Sequence, residues 1–150
     1  MRCRCMKIRP ILLPASLFAF TISASALAQS PAVATVVLYR PFKVFGIGIN
    51  YGIYHEGQEI CRLSNRRYLV MTVPIGMVTL RSHIVGYGFI KRDRILQFQA
   101  QPETVYYVQT NPQYWADVLD MAIVPAEYAK GRLQRIPKPD QCSEPFSFNQ

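Results

Sequence analysis

The sequence has little of what catalysis and metal binding draw on. It holds two histidines, His55 and His83, in 150 residues. A zinc site wants three or four protein ligands, and no HExxH, CxxC or close histidine pair is present. His55-Glu56 starts like a zincin motif, but no second histidine stands four residues on. A strained nucleophile elbow, GxSxG, is also missing. Ser64 and Ser82 sit in turn-like contexts, where hydroxyls bond backbone. Gly46, Gly48 and Gly52 have the wrong spacing for a dinucleotide fingerprint, and no strong helix follows them. The sequence therefore offers no cofactor, metal or catalytic residues, and the expectation is a non-enzymatic protein.

Acidic residues are scarce as well, nine against 17 Lys and Arg, a formal charge of +8. Part of that excess lies in a leader. Arg2, Arg4, Lys7 and Arg9 precede an apolar run, Ile11 to Leu27, which ends in Ala26-Leu27-Ala28. This is the layout of a secretory signal, with cleavage expected near Ala28. The run falls short of the ~20 residues of a spanning helix, so no transmembrane segment is expected in the mature chain. A retained anchor is the alternative. With residues 1–28 removed, 13 basic residues face nine acidic ones, a net +4. That suits a periplasmic or secreted protein meeting an anionic envelope component or an envelope protein, and does not argue for nucleic acid. Cys3 and Cys5 leave with the leader. Cys61 and Cys142 remain, as one disulfide in an oxidising compartment or as two free thiols.

Strand patterning organises the rest. Thr35–Tyr39 is β-branched and aromatic, and closes at Pro41. Phe42–Gly52 is an apolar run broken by three glycines, which reads as bulges. Ile53–His55 and Gln58–Arg62 flank a Glu56-Gly57 hairpin turn. In Tyr68–Val73, Leu69, Met71 and Val73 share one face and Tyr68, Val70 and Thr72 the other. Both faces are apolar, so this strand is expected to be central. Pro74-Ile75-Gly76 turns the chain into Val78–Ser82, with Val78 and Leu80 inward. Leu96, Phe98 and Ala100 alternate with glutamines, Val105–Thr110 reads as another strand, and Val118–Val124 reads as a last strand, with a buried helical turn as the alternative. Arg67–Thr110 thus reads as a meander. Pro125–Leu133 reads as a short helix weakened by Gly131. From residue 134 to 150 the chain is a Pro-rich tail that only a disulfide or surface docking would order. Seven or eight short strands with one short C-terminal helix predict an all-β, antiparallel β-sandwich over residues 34–133.

Three segments, ATVVLYRP (34–41), NRRYLVMTVPIG (65–76) and VYYV (105–108), fall in an order that resembles a family of exported bacterial domains of unknown function. That family is similar to transthyretin-like or carboxypeptidase-regulatory-like β-sandwiches. The resemblance implies a sandwich fold and an envelope location, and carries no activity. The glycine usual before the Tyr-Tyr strand is replaced by Pro102-Glu103-Thr104, and the lipobox cysteine of many relatives is missing.

The expected role is an exported binding or protein-interaction module of the bacterial envelope. The alternatives are a membrane-associated structural component and a small hydrolase using a histidine. The candidate interaction surface comprises Arg66 and Arg67 at one end of the meander, Tyr87, Lys91, Arg92 and Arg94 in and beside its loop, and Trp115. Together with Arg62, the arginines would form a basic patch for lipid head groups, lipopolysaccharide or an acidic partner if they converge.

Overall fold

The computed structural model describes residues 32–44, 46–85, 93–113, 118–136 and 138–145. The expectations for the leader and its cleavage site lie outside these residues. Eight strands form: β1 (Val33–Arg40), β2 (Tyr51–His55), β3 (Gln58–Leu63), β4 (Arg67–Pro74), β5 (Gly76–Ile84), β6 (Arg94–Ala100), β7 (Val105–Pro112) and β8 (Leu119–Val124). One helix follows, α1 (Ala126–Leu133). The strands make two four-stranded sheets, sheet I in the order β4-β1-β7-β8 and sheet II in the order β3-β2-β5-β6. The fold is an all-β sandwich, as the turn spacing predicts.

The core explains the two-faced strands. Ala34, Val36 and Leu38 of β1 meet Leu69, Met71 and Val73 of β4 and Val78 and Leu80 of β5 between the sheets. On the outer side of sheet I, Val37, Tyr39, Val70 and Tyr107 pack under Ala129 and Leu133 of α1 and Ile136. Burial is the main support for α1, because Pro125 at its start gives no side-chain cap and Gly131 lies within it. Each wholly buried aliphatic side chain contributes about 1.5–3 kcal/mol of transfer free energy, so the helix is stabilised mainly by its footing.

Strand pairing departs from the meander. Within the meander only β5 and β6 pair as neighbours, while the expected Glu56-Gly57 hairpin of β2 and β3 forms ahead of it. At Pro74-Ile75-Gly76, with Gly76 at φ 113°, the chain leaves sheet I and enters sheet II instead of folding back on β4. The glycine is needed, because that φ is costly for any side chain with a Cβ. After β6 the chain returns to sheet I, where β7 pairs parallel with β1. Sheet I is therefore mixed rather than antiparallel throughout. The central place expected for β4 belongs to β1, and β4 is an edge strand. Its second apolar face is accounted for by the α1 layer.

The β4 edge is covered by the C-terminal segment. The Asp140 N–H donates to the Tyr68 carbonyl at 2.7 Å and the Glu144 N–H to the Val70 carbonyl at 2.9 Å. The Ser143 hydroxyl accepts from the Val70 N–H at 2.9 Å. Cys142 bonds to the buried Cys61 of β3, with Cα atoms 5.8 Å apart. Residues 138–145 thus strap the edge of sheet I and are tied to the edge of sheet II. An edge strand otherwise presents unpaired backbone to any passing chain.

Candidate functional site

The register gathers four connections at one end of the sandwich. β1 ends there at Arg40 opposite Arg67, β2 begins at Tyr51 between Leu63 and Ile84, and β7 ends at Pro112 beside Leu119. The 41–50 loop and the 64–66 turn leave from this end side by side. Arg40 continues the inward row of Ala34, Val36 and Leu38, yet it is wholly buried. Its guanidinium donates to the carbonyls of Ile49 at 2.7 Å and Gly46 at 2.8 Å. Burial pulls its pKa below the usual arginine value, and the Tyr51 ring beneath it opposes the shift. A buried charge without such partners would be very costly, so the loop's carbonyls and Arg40 fix one another. Asn65 adds a clasp, accepting from the Lys43 N–H at 3.3 Å and donating to the Lys43 carbonyl at 2.8 Å.

Between this loop, the turn and the C-terminal strap lies an open cleft of about 820 Å³. Arg62, Arg66 and Arg67 line it, with Asn50, Phe42 and Ile47 from the loop and the loop side. Arg66 holds φ at 55°, a left-handed conformation that glycine or asparagine adopts more readily. Its Nε donates to the Arg135 carbonyl at 3.2 Å. Arg67 reaches the Pro139 carbonyl at 3.5 Å. Arg62 is paired with Glu59 at 2.7 Å, which holds the Glu59 carboxyl below the usual carboxylate range. On the strap side Asp140 faces the cleft, but its oxygens accept the backbone N–H groups of Ser64 at 2.8 Å and Gln141 at 3.1 Å.

Of the expected surface, Arg66 and Arg67 come together here, with Arg62 beside them. Arg94 is at the same end but on the far edge, on β6, where its Nε pairs with Asp120 of β8 at 2.8 Å. Tyr87, Lys91, Arg92 and Trp115 lie outside the described residues. Sequence reading missed Arg40, Asn50, Phe42 and Ile47. The three glycines in Phe42–Gly52 were the available signal: a run too glycine-rich for a strand turns its apolar side chains outward.

The histidines lie elsewhere. His83 is on the outer face of sheet II, its Nδ1 3.9 Å from Asp93, which also receives Arg81 at 3.4 Å. The Tyr54 ring stands edge-on to His83, lies under Arg81, and its hydroxyl donates to Glu59 at 3.0 Å. Ser82 points to the opposite, buried side and donates to the Leu119 carbonyl at 2.6 Å. Adjacent strand residues face opposite ways, so Ser82 and His83 do not form a nucleophile–base pair. His55 Nδ1 meets the Thr79 carbonyl at 3.3 Å. Among the described residues no group of three or more His, Cys, Asp and Glu is placed to hold a metal ion, and no helix is long and apolar enough to cross a membrane. No family model matches the chain, and no curated protein matches it.

Proposed function

We propose that the protein is an exported interaction module that binds its partner or ligand through the loop end of the sandwich, at the arginine cleft. The observation that carries this is the convergence of Arg62, Arg66 and Arg67 on one open cleft, with Arg66 kept in a left-handed turn position. Non-glycine residues persist in such conformations where the surroundings or a function demand them. The loop wall is fixed by Arg40 and the strap wall by the disulfide, so the site is organised before anything binds. Export is supported by the basic and apolar leader and by the Cys61–Cys142 bond, since disulfides persist in oxidising compartments. On this reading the chain belongs with the exported sandwich domains it resembles, and its place is the bacterial envelope.

Fractionation with site-specific photocrosslinking tests the proposal. A processed form should leave the envelope with osmotic shock followed by a high-salt wash, without detergent. A photoreactive residue at Gln141, exposed on the strap wall of the cleft, should crosslink in the intact envelope, while one at Gln97, on the outer face of sheet II, should not. Equal crosslinking from both positions, or none from Gln141, would count against it.

A further inference from the structure

The cleft is more than basic. Phe42 is 57% exposed, Val44 77% and Ile47 56%, all on the one loop, and Phe42 and Ile47 line the cleft itself. Exposed apolar groups rimmed by polar residues mark contact surfaces. These are held out by construction. Arg40 grips the Gly46 and Ile49 carbonyls, and Asn65 clasps Lys43 between Phe42 and Val44. Beside them, Arg66 and Arg67 spend their hydrogen bonds on backbone carbonyls, and among the described residues neither meets a carboxylate. Asp140 turns its oxygens to backbone N–H groups.

From this we infer that the cleft and its loop bind a phosphate-bearing lipid headgroup at an anionic membrane surface. Arg66 and Arg67 take the phosphate, and Phe42, Val44 and Ile47 enter the headgroup–acyl boundary. The inference rests on the loop end being the binding end. Guanidinium forks match phosphate oxygens in pairs. Apolar side chains interleaved with cations are the pattern of proteins that lie on anionic lipid. A free phosphate would engage the arginines and leave the three exposed apolar side chains without a contact. The headgroup layer satisfies both.

The purified protein is sedimented with phosphatidylcholine vesicles, with or without phosphatidylglycerol, and titrated separately with glycerol 3-phosphate. Strong binding to the anionic vesicles alone, weakening with salt, is expected. The double variant Arg66→Gly/Arg67→Gln should weaken it about 30-fold, the effect of two surface cations. Phe42→Ser/Ile47→Ser should release the protein from vesicles and leave any glycerol 3-phosphate binding intact. Arg94→Gln removes one positive charge at the far edge, where Arg94 is already paired with Asp120, and should stay within about twofold of wild type, since its charge is offset there and lies away from the cleft. Thermal unfolding of each variant checks the fold, and glycine at position 66 suits the local φ.

Equal binding to neutral and anionic vesicles would overturn the inference. So would vesicle binding unaffected by Phe42→Ser/Ile47→Ser, which leaves charge contact without entry of the loop, while glycerol 3-phosphate binding without vesicle binding would assign the cleft to soluble phosphate. A crosslink from Gln141 to a protein, without vesicle binding, would overturn the lipid reading and keep the interaction module. Neither crosslink nor vesicle binding would overturn both.

Discussion

The guanidinium carbon of Arg40 lies 4.9 Å from the centre of the Tyr51 ring. This contact joins the end of β1 in sheet I to the start of β2 in sheet II, and closes the core at its loop end. The buried cation has the ring on one side and two loop carbonyls on the other. Lysine at this position keeps the charge and loses the fork. Hydrogen bonds to charged groups are worth about 1.5–3 kcal/mol each, so Arg40→Lys should destabilise the protein by about 2 kcal/mol. The damage should centre on the loop. The Ile49 amide, which donates to the Gly46 carbonyl at 3.1 Å, should exchange with deuterium much faster while the β1 amides keep their protection. A loss spread evenly over both sheets would contradict this account.

The Cys61–Cys142 bond links residues 81 apart in sequence. Closing a loop of that size constrains the unfolded chain, and such bonds typically contribute about 2–4 kcal/mol. Urea unfolding with and without dithiothreitol should show a loss of that order. Reduction should also free the strap, and the Val70 amide, which donates to Ser143 Oγ, should lose protection before the β1 amides do. Pro139, Asp140 and Gln141 form one wall of the cleft, so ligand binding should weaken under the same conditions. Unchanged Val70 protection after reduction would show that the hydrogen bonds hold the strap unaided.

Strand positions were legible in the sequence because a period of two fixes which residues face inward. Val78 and Leu80 in β5, and Leu96, Phe98 and Ala100 in β6, turn inward as their alternation predicts. Pairing was not legible. Alternation does not say which neighbour a strand will bond, and Pro74-Ile75-Gly76 serves a crossing between sheets as well as a hairpin. The parallel β1–β7 pair joins segments about 70 residues apart, which local patterns do not encode. The site divides in the same way. Arg66 and Arg67 stood out as paired cations in a turn. Their cleft depends on a loop and a strap brought in by Arg40 and Cys142, contacts set by tertiary packing.

Arg66 offers a way to separate stability from binding. Left-handed backbone costs a side-chain-bearing residue about 1–2 kcal/mol, partly offset in glycine by its larger loss of chain entropy. The hydrogen bond to the Arg135 carbonyl is exposed and adds little. Arg66→Gly should therefore stabilise the protein by about 0.5–1 kcal/mol in urea unfolding. A destabilised Arg66→Gly would mean that the side chain itself supports the turn.

Tyr39 predicts how the fold fails in alkali. It is wholly buried, and its hydroxyl donates to Gln109 Oε1 at 3.0 Å. Burial pushes its pKa up to about 12, with Tyr128 adding to the shift and Arg132 opposing it. Below the ordinary tyrosine value near 10 both the folded and the unfolded chain are protonated, and the contribution is complete. Above it the unfolded chain gains by ionising while the folded one does not, so stability falls as pH rises from about 10 to about 12. The shift corresponds to a loss of about 2–3 kcal/mol. Tyr107 is also raised by burial and acts in the same direction. Tyr39→Phe should cost about 1 kcal/mol at neutral pH for the missing hydrogen bond, and should flatten most of the alkaline decline. Urea midpoints followed across this range for both proteins measure it. Parallel curves would show that Tyr39 ionises as freely in the folded chain as in the unfolded one.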